Sequence, residues 1–378
     1  MTDEQRATRR QFLIGGSVSA GLLALGALGA WRIGSWLSDD GPLSDPPDPN
    51  HPDVLSYSTD LSYVAASWFV GRGFGDAHFA QTRMYTFPEQ KLIRTIPLPF
   101  PYGNGSDTVF TSWSPDNKRL AITMALRSPP LQIWEVNSGA SIFCLSEEKN
   151  LWLSALAWSP DGHRLLLGGQ QRLIVLETRT GHRLFASELE TTFSEILSGS
   201  AQCTWSPDGR AFAILTQRAM NTPAEDWVVE IWDSQTYTRT NQLTFAAPSS
   251  FIAGVTFGAV NLLWSPRGDR LALNLGKAIW VFEPTHQGEV SLFVASSTNT
   301  TNGGPLAWSP DGTRLAQMTP LSVWDVERHR RVSTSLLTTD HTLDEQVTPG
   351  VLALAWDTDG KQIKAANLFM EEGIWTVL

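Results

Sequence analysis

Seven histidines (His51, His78, His163, His182, His286, His329, His341) and two cysteines (Cys144, Cys203) are the side chains of this 378-residue chain best suited to holding a metal or attacking a carbonyl. No two histidines stand in HxH or HExxH spacing, and neither cysteine belongs to a CxxC pair or a Cys/His cluster of the kind zinc requires. No GxSxG elbow and no phosphate-cradling glycine loop is present. Asp116, Asp161, Asp208 and Asp311 recur at near-regular intervals. Each sits inside a Ser-Pro-Asp turn, so turn formation explains them better than acid–base chemistry. The residue types therefore predict no metal, no cofactor and no catalytic set, and they favour binding over catalysis.

Binding chemistry is better represented. Phe74, Tyr102, Trp152, Phe193, Trp227, Phe251 and Phe257 fall in connecting segments together with Glu147, Glu148, Glu195, Glu225, Asp226, Asp340, Asp344 and Glu345. Aromatic rings beside carboxylates suit recognition of a protein or a cationic group. Phe74, Tyr102, Trp152, Glu195, Trp227, Phe251 and Asp340 are accordingly the expected binding residues. Beyond residue 37 the chain has 24 cations against 36 anions. An excess of negative charge repels phosphate backbones, so nucleic acid is not expected as a partner.

The elements that position these groups follow from an internal repeat. WSPDNKRLAI begins at Trp113, WSPDGHRLLL at Trp158, WSPDGRAFAI at Trp205, WSPRGDRLAL at Trp264, WSPDGTRLAQ at Trp308, and the weaker WDTDGKQIKA at Trp356. YSTDLSYVAA at Tyr57 is a degenerate seventh copy, and the spacings are 56, 45, 47, 59, 44 and 48 residues. In Ser-Pro-Asp-Gly, Pro presets φ for the second turn position and Gly lets the chain return as the next strand. Asn117 replaces that glycine in the second copy and tolerates the same left-handed backbone. Each turn is followed by a second apolar run, usually aromatic (Tyr85, Trp134, Trp232, Trp280, Trp324, Trp375, with Leu176 in the third copy), then a polar break and another β-like stretch. Four short strands per unit result.

Units of this length holding four strands match radial blades that cover their apolar faces against one another. The repeated W-S-P-D-G turn, with Ile133-Trp134-Glu135, Ile231-Trp232-Asp233 and Val323-Trp324-Asp325 downstream, resembles the bacterial type of the WD-repeat β-propeller family over residues 54–378. The resemblance implies an all-β, seven-bladed β-propeller of four-stranded antiparallel blades. The buried His-Ser-Asp-Trp set common in that family does not recur here, so apolar and Trp packing is expected to hold the blades. Leu378 lies only three residues after Trp375, which leaves the last blade with three strands of its own. A strand from around Leu43 to Pro52 is too Pro-rich to pair well. Cys144 and Cys203 fall in strands of different units, and buried free thiols are expected.

In propellers resembling this one, the turns within the first and second strand pairs of a blade open on one face, and the other connections open on the opposite face. The first face is uniformly short here and the second carries the long connections. Long loops on a rigid scaffold are where binding residues concentrate.

Residues 1–37 read as an address. Thr8-Arg9-Arg10-Gln11-Phe12-Leu13 resembles the twin-arginine export signal, carried by Arg9, Arg10, Phe12 and Leu13, with Ile14 where that family often has Lys. Residues 12–31 contain no charge, so a hydrophobic helix is expected, either a cleaved signal or a retained transmembrane anchor. Residues 38–53 read as a Pro/Asp-rich linker. Together these predict an extracytoplasmic platform for protein partners, exported or membrane-anchored. The alternatives are a propeller hydrolase or lyase and an envelope or sensory accessory protein.

Overall fold

The computed structural model describes residues 54–70, 79–97, 109–124, 131–145, 153, 155–169, 171–191, 202–217, 226–246, 260–275, 278–284, 290–294, 305–317, 321–332, 337–340, 351–367 and 372–377. Residues 1–53, with the expected helix, export signal and linker, lie outside them.

The repeat copies become blades. Blade 1 is β1 (Val54–Tyr57), β2 (Tyr63–Val70), β3 (Phe79–Thr86) and β4 (Leu92–Pro97). Blade 2 is β5 (Val109–Trp113), β6 (Arg119–Met124), β7 (Leu131–Glu135) and β8 (Ser141–Leu145). Blade 3 is β9 (Ala155–Trp158), β10 (Arg164–Gly169), β11 (Arg172–Glu177) and β12 (Arg183–Glu188). Blade 4 is β13 (Cys203–Trp205), β14 (Ala211–Gln217), β15 (Asp226–Asp233) and β16 (Arg239–Ala246). Blade 5 is β17 (Val260–Trp264), β18 (Leu271–Leu275), β19 (Ala278–Phe282) and β20 (Val290–Val294). Blade 6 is β21 (Leu306–Trp308), β22 (Arg314–Gln317), β23 (Ser322–Asp325) and β24 (Arg330–Val332). Each is a four-stranded antiparallel meander with its strands in sequence order.

The seventh repeat supplies three strands, β26 (Val351–Trp356), β27 (Gln362–Asn367) and β28 (Glu372–Thr376). The fourth place is filled by β25 (Leu337–Asp340), which precedes the repeat and pairs with β28, giving the order β25-β28-β27-β26. Asp340, expected in a connecting segment, therefore stands on a strand. Blade 7 completes its edge from the chain just before it.

Seven apolar clusters fill the seven gaps between blades, since each sheet has two apolar faces that must be covered. One cluster joins Leu55, Tyr57 and Val64 of blade 1 to Ala353, Ala355 and Ala366 of blade 7, so the ring is closed. Trp113, Trp158, Trp205, Trp308 and Trp356 end the innermost strands and pack against the preceding blade. Their indole N–H groups donate to Ser56, Ser112, Ala157, Leu263 and Ala307 carbonyls at 3.0–3.3 Å. Tryptophan suits this place because its body is apolar while its one donor needs a buried acceptor.

Polar contacts on the same side tie blade to blade. Arg119 of blade 2 donates to Gly162 O and Thr178 Oγ1 of blade 3, and its guanidinium lies 5.0 Å from the Trp158 ring. Arg164 of blade 3 repeats the arrangement on Gly209 O, Ser234 O and Trp205, with the ring at 4.5 Å. Farther out, residues of the fourth strands reach the next blade. Arg94 donates to Asn137 O, Phe185 stacks on Tyr237 at 4.8 Å, and Asn241 donates to Pro284 O at 2.8 Å. Phe143 lies over Gly181 so closely that a Cβ there would fall 1.7 Å from its ring. Packing thus has directional supplements that the missing His-Ser-Asp-Trp set did not suggest.

Candidate interaction surface

One face of the ring is built from the Ser-Pro-Asp-Gly turns. In blade 3, Gly162 N–H donates to Ser159 O at 2.8 Å, and Gly162 adopts φ +68°. Ser159 Oγ, buried, donates to Asp161 at 2.5 Å and accepts Arg164 N–H at 2.9 Å. Blades 2, 4 and 6 repeat the serine–aspartate bond at 2.6–2.7 Å. In blade 1 Leu61 takes the glycine place at φ +56°, as Asn117 does in blade 2 at φ +55°.

These carboxylates are held below their usual value. Partial burial alone would raise Asp116, Asp161 and Asp311, but the hydrogen bonds from the turn serine and from the backbone two residues on outweigh it. For Asp208 the Arg210 N–H is the leading cause, followed by Ser206. A carboxylate kept ionised and engaged with its own turn is a structural acceptor, as expected from the repeat.

The opposite end differs. Counted along the strands away from the turns, blade interiors become polar where the turn end is apolar. In blade 5 the Trp264–Leu271 pair beside the turn gives way to the Asn261–Asn274 pair, both buried. Blade 1 places Ser67 opposite Thr82, bonded at 2.8 Å, and blade 6 places Gln317 opposite Ser322. Gln202 and Thr216 of blade 4 are buried likewise. Glu230 on β15 is the most buried acid among the described residues, at 1% exposure. Its carboxylate accepts from Trp232 Nε1 at 3.0 Å and Arg239 at 3.3 Å, with Thr191 Oγ1 at 3.4 Å. Buried polar groups cost free energy unless satisfied, so this end is specified by hydrogen bonding rather than by packing alone.

Of the expected binding residues, Phe74, Tyr102, Trp152, Glu195 and Phe251 lie outside the described residues. Trp227 is a correction. It begins the inward-facing set Trp227, Val229 and Ile231 of β15 and is 1% exposed in the core between blades 4 and 5, so it offers no ring to a partner. Asp340 ends β25 at the outer edge of blade 7, on a strand and not in a loop. Asp226 opens β15 in blade 4, so the structure places these two acids in blades separated by two others. Cys203 is buried and burial pushes its thiol well up, whereas Cys144 on the outermost strand of blade 2 is exposed, and both are free. Outer strands are covered on one side only, which explains the error for Cys144. Missed altogether were the arginine contacts and the polar collar. Arg119, Arg164, Arg270 and Arg314 at one fixed place after the turn, and Asn274 within Leu-Ala-Leu-Asn-Leu, were the available signals.

Closed on itself with seven radial sheets, the molecule is a seven-bladed β-propeller. No protein-family model matches the chain. Among solved structures it is similar to a chain of the Kuenenia stuttgartiensis hydrazine synthase, with TM-score 0.56 and 13% identity, covering 90% of this chain and 99% of that one. It is also similar to a chain of a mitotic checkpoint complex, with TM-score 0.56 and 17% identity, covering 92% and 100%. At such identities the likeness is one of fold. Among the described residues, no group of three or more His, Cys, Asp or Glu is placed to hold a metal ion, and no helix is long and apolar enough to cross a membrane.

Proposed function

We propose that this chain is a noncatalytic WD-repeat platform that binds another protein through its long-loop face. In this reading residues 1–37 carry it out of the cytoplasm and, if retained, anchor it in the membrane. The observation that carries the reading is the difference between the two ends of the ring. The turn end repeats one structural device, while the long-loop end combines a buried polar collar with connections of unequal length and aromatic–acidic composition. Variation on a fixed frame is how scaffolds present recognition residues. Similarity to a chain from a multiprotein checkpoint assembly agrees with a protein partner. The rival, a propeller hydrolase or lyase, needs carboxylates to converge. Of the acids in the connecting segments, Asp226 opens the third strand of blade 4, whereas Asp340 ends the outermost strand of blade 7.

Affinity capture with the full chain from membranes of its native host tests the proposal. Replacing Phe74 and Phe251 by Ala should reduce the captured partner at least tenfold, while Lys118→Ala with His163→Ala on the turn face should leave it unchanged. The reverse pattern would contradict the choice of face. The mass of the recovered protein's N-terminus distinguishes a cleaved signal from a retained anchor.

A further inference from the structure

From blade 1 to blade 4 the contacts between neighbours follow one plan, and the blade 4–5 interface departs from it. The residue five positions after the turn serine lies on the next blade's tryptophan: Tyr63 stacks on Trp113 at 5.6 Å, Arg119 on Trp158 and Arg164 on Trp205. Blade 4 has Ala211 there, whose methyl group can supply neither a ring nor a donor to blade 5. Trp264 of blade 5, the counterpart of the tryptophans that donate to the preceding blade, has its Nε1 buried with no acceptor among the described residues. Gly268 corresponds to Gly162 and Gly209, yet among the described residues no arginine packs over it. The nearest atom to a Cβ built there is Pro207 Cδ at 3.7 Å.

What joins blades 4 and 5 instead is chiefly apolar contact. Leu215, Trp227, Val229 and Ile231 meet Leu262, Leu273, Trp280 and Phe282, and Phe245 packs on Trp280 and Phe282 at 5.4 and 5.7 Å. At the rim, Asn241 donates to Pro284 O. Apolar burial is nondirectional, whereas hydrogen bonds and cation–π contacts fix relative placement. Two packed surfaces with few directional ties can slide or part while the tied ones hold.

We infer that the ring has a conformational seam between blades 4 and 5, where neighbouring blades separate more readily than at the blade 2–3 and 3–4 interfaces. The seam is a property of the ring itself and does not depend on the proposed function.

Two thiols on opposite faces of blade 4 test it in a single molecule. Cys203 is buried against blade 3, and Ala213, on the adjacent strand, is buried against blade 5. In full-length protein carrying Cys144→Ser and Ala213→Cys, thiol labelling under native conditions should modify position 213 at least tenfold faster than Cys203, read peptide by peptide by mass spectrometry. Adding Ala211→Arg, which restores a donor toward Gly268 O, should slow labelling at 213 severalfold and leave Cys203 unchanged. Equal rates at the two positions, or faster labelling of Cys203, would overturn the seam. Should the added cysteine prevent folding, Ala211→Arg alone in the natural chain should raise the urea midpoint followed by tryptophan fluorescence. An unchanged or lowered midpoint would count equally against the inference.

Discussion

At the turn end of the ring, most blades use the same residues in the same way, with a tryptophan against the neighbouring blade, a buried serine, and an aspartate bound into its own turn. At the long-loop end the blades agree only in being polar inside, with Ser67 and Thr82 in one, Asn261 and Asn274 in another, Gln317 and Ser322 in a third. The contrast teaches how a repeat protein divides its work. The repeated end fixes seven sheets about an axis, and the unrepeated end is free to differ from blade to blade.

The largest effect that sharpens this contrast is expected at the repeated end. Trp158→Ala removes a buried indole, its bond to Ser112 O and the surface under Arg119, and should cost about 3–5 kcal/mol in urea unfolding. A loss below about 1 kcal/mol would mean the repeated tryptophans do not hold the ring. Next in size is Ser159→Ala. It removes the hydroxyl bound by Asp161 and Arg164 N–H, and should cost about 1–3 kcal/mol by the same measurement, because a buried backbone donor loses its acceptor.

How the chain announces its structure follows the same division. Tyr57, Trp113, Trp158, Trp205, Trp264, Trp308 and Trp356 with their turns were enough to place seven blades, because a turn residue imposes a backbone geometry wherever it occurs. Even Leu176, standing in for an aromatic, fell on the expected third strand, β11. Trp227 was misread because the run Asp226–Asp233 carries two tryptophans, and only pairing against Gln217 and Phe245 shows that the strand begins before the first of them. β25 was invisible for a different reason. Leu337-Thr338-Thr339-Asp340 has no copy elsewhere in the chain, and its place is fixed by the vacant edge of β28, a long-range condition that no local pattern encodes. Arg119, Arg164, Arg270 and Arg314 recur as a column of identical residues, but neither their contacts nor the blade they would reach was legible.

Acid should also act at the repeated end. Asp116, Asp161 and Asp311 are held below 3.8 in the folded protein. Their contribution to stability is therefore present above that value and is lost as pH falls through the lower folded values. Urea midpoints measured from neutral pH downward should decline below about pH 4, and Asp161→Asn should flatten part of that decline. A midpoint independent of pH between neutrality and about 3 would contradict the role given to the turn carboxylates.

The smallest effect is reserved for the other end. Ser67 and Thr82 satisfy each other at 2.8 Å, so replacing both by Ala and Val should change stability by less than about 1 kcal/mol, whereas Ser67→Ala alone should cost more than the pair. If the double replacement proved as damaging as Ser159→Ala, the two ends would not differ in the way described.

Recognition of partners at the unrepeated end is tested most directly by hydrogen-exchange mass spectrometry of the full chain with and without its captured partner. Protection is predicted in peptides covering 68–82, 215–229 and 244–262, with no change in peptides covering the turns at 114–119, 159–164 and 206–211. Protection confined to those turns would contradict it.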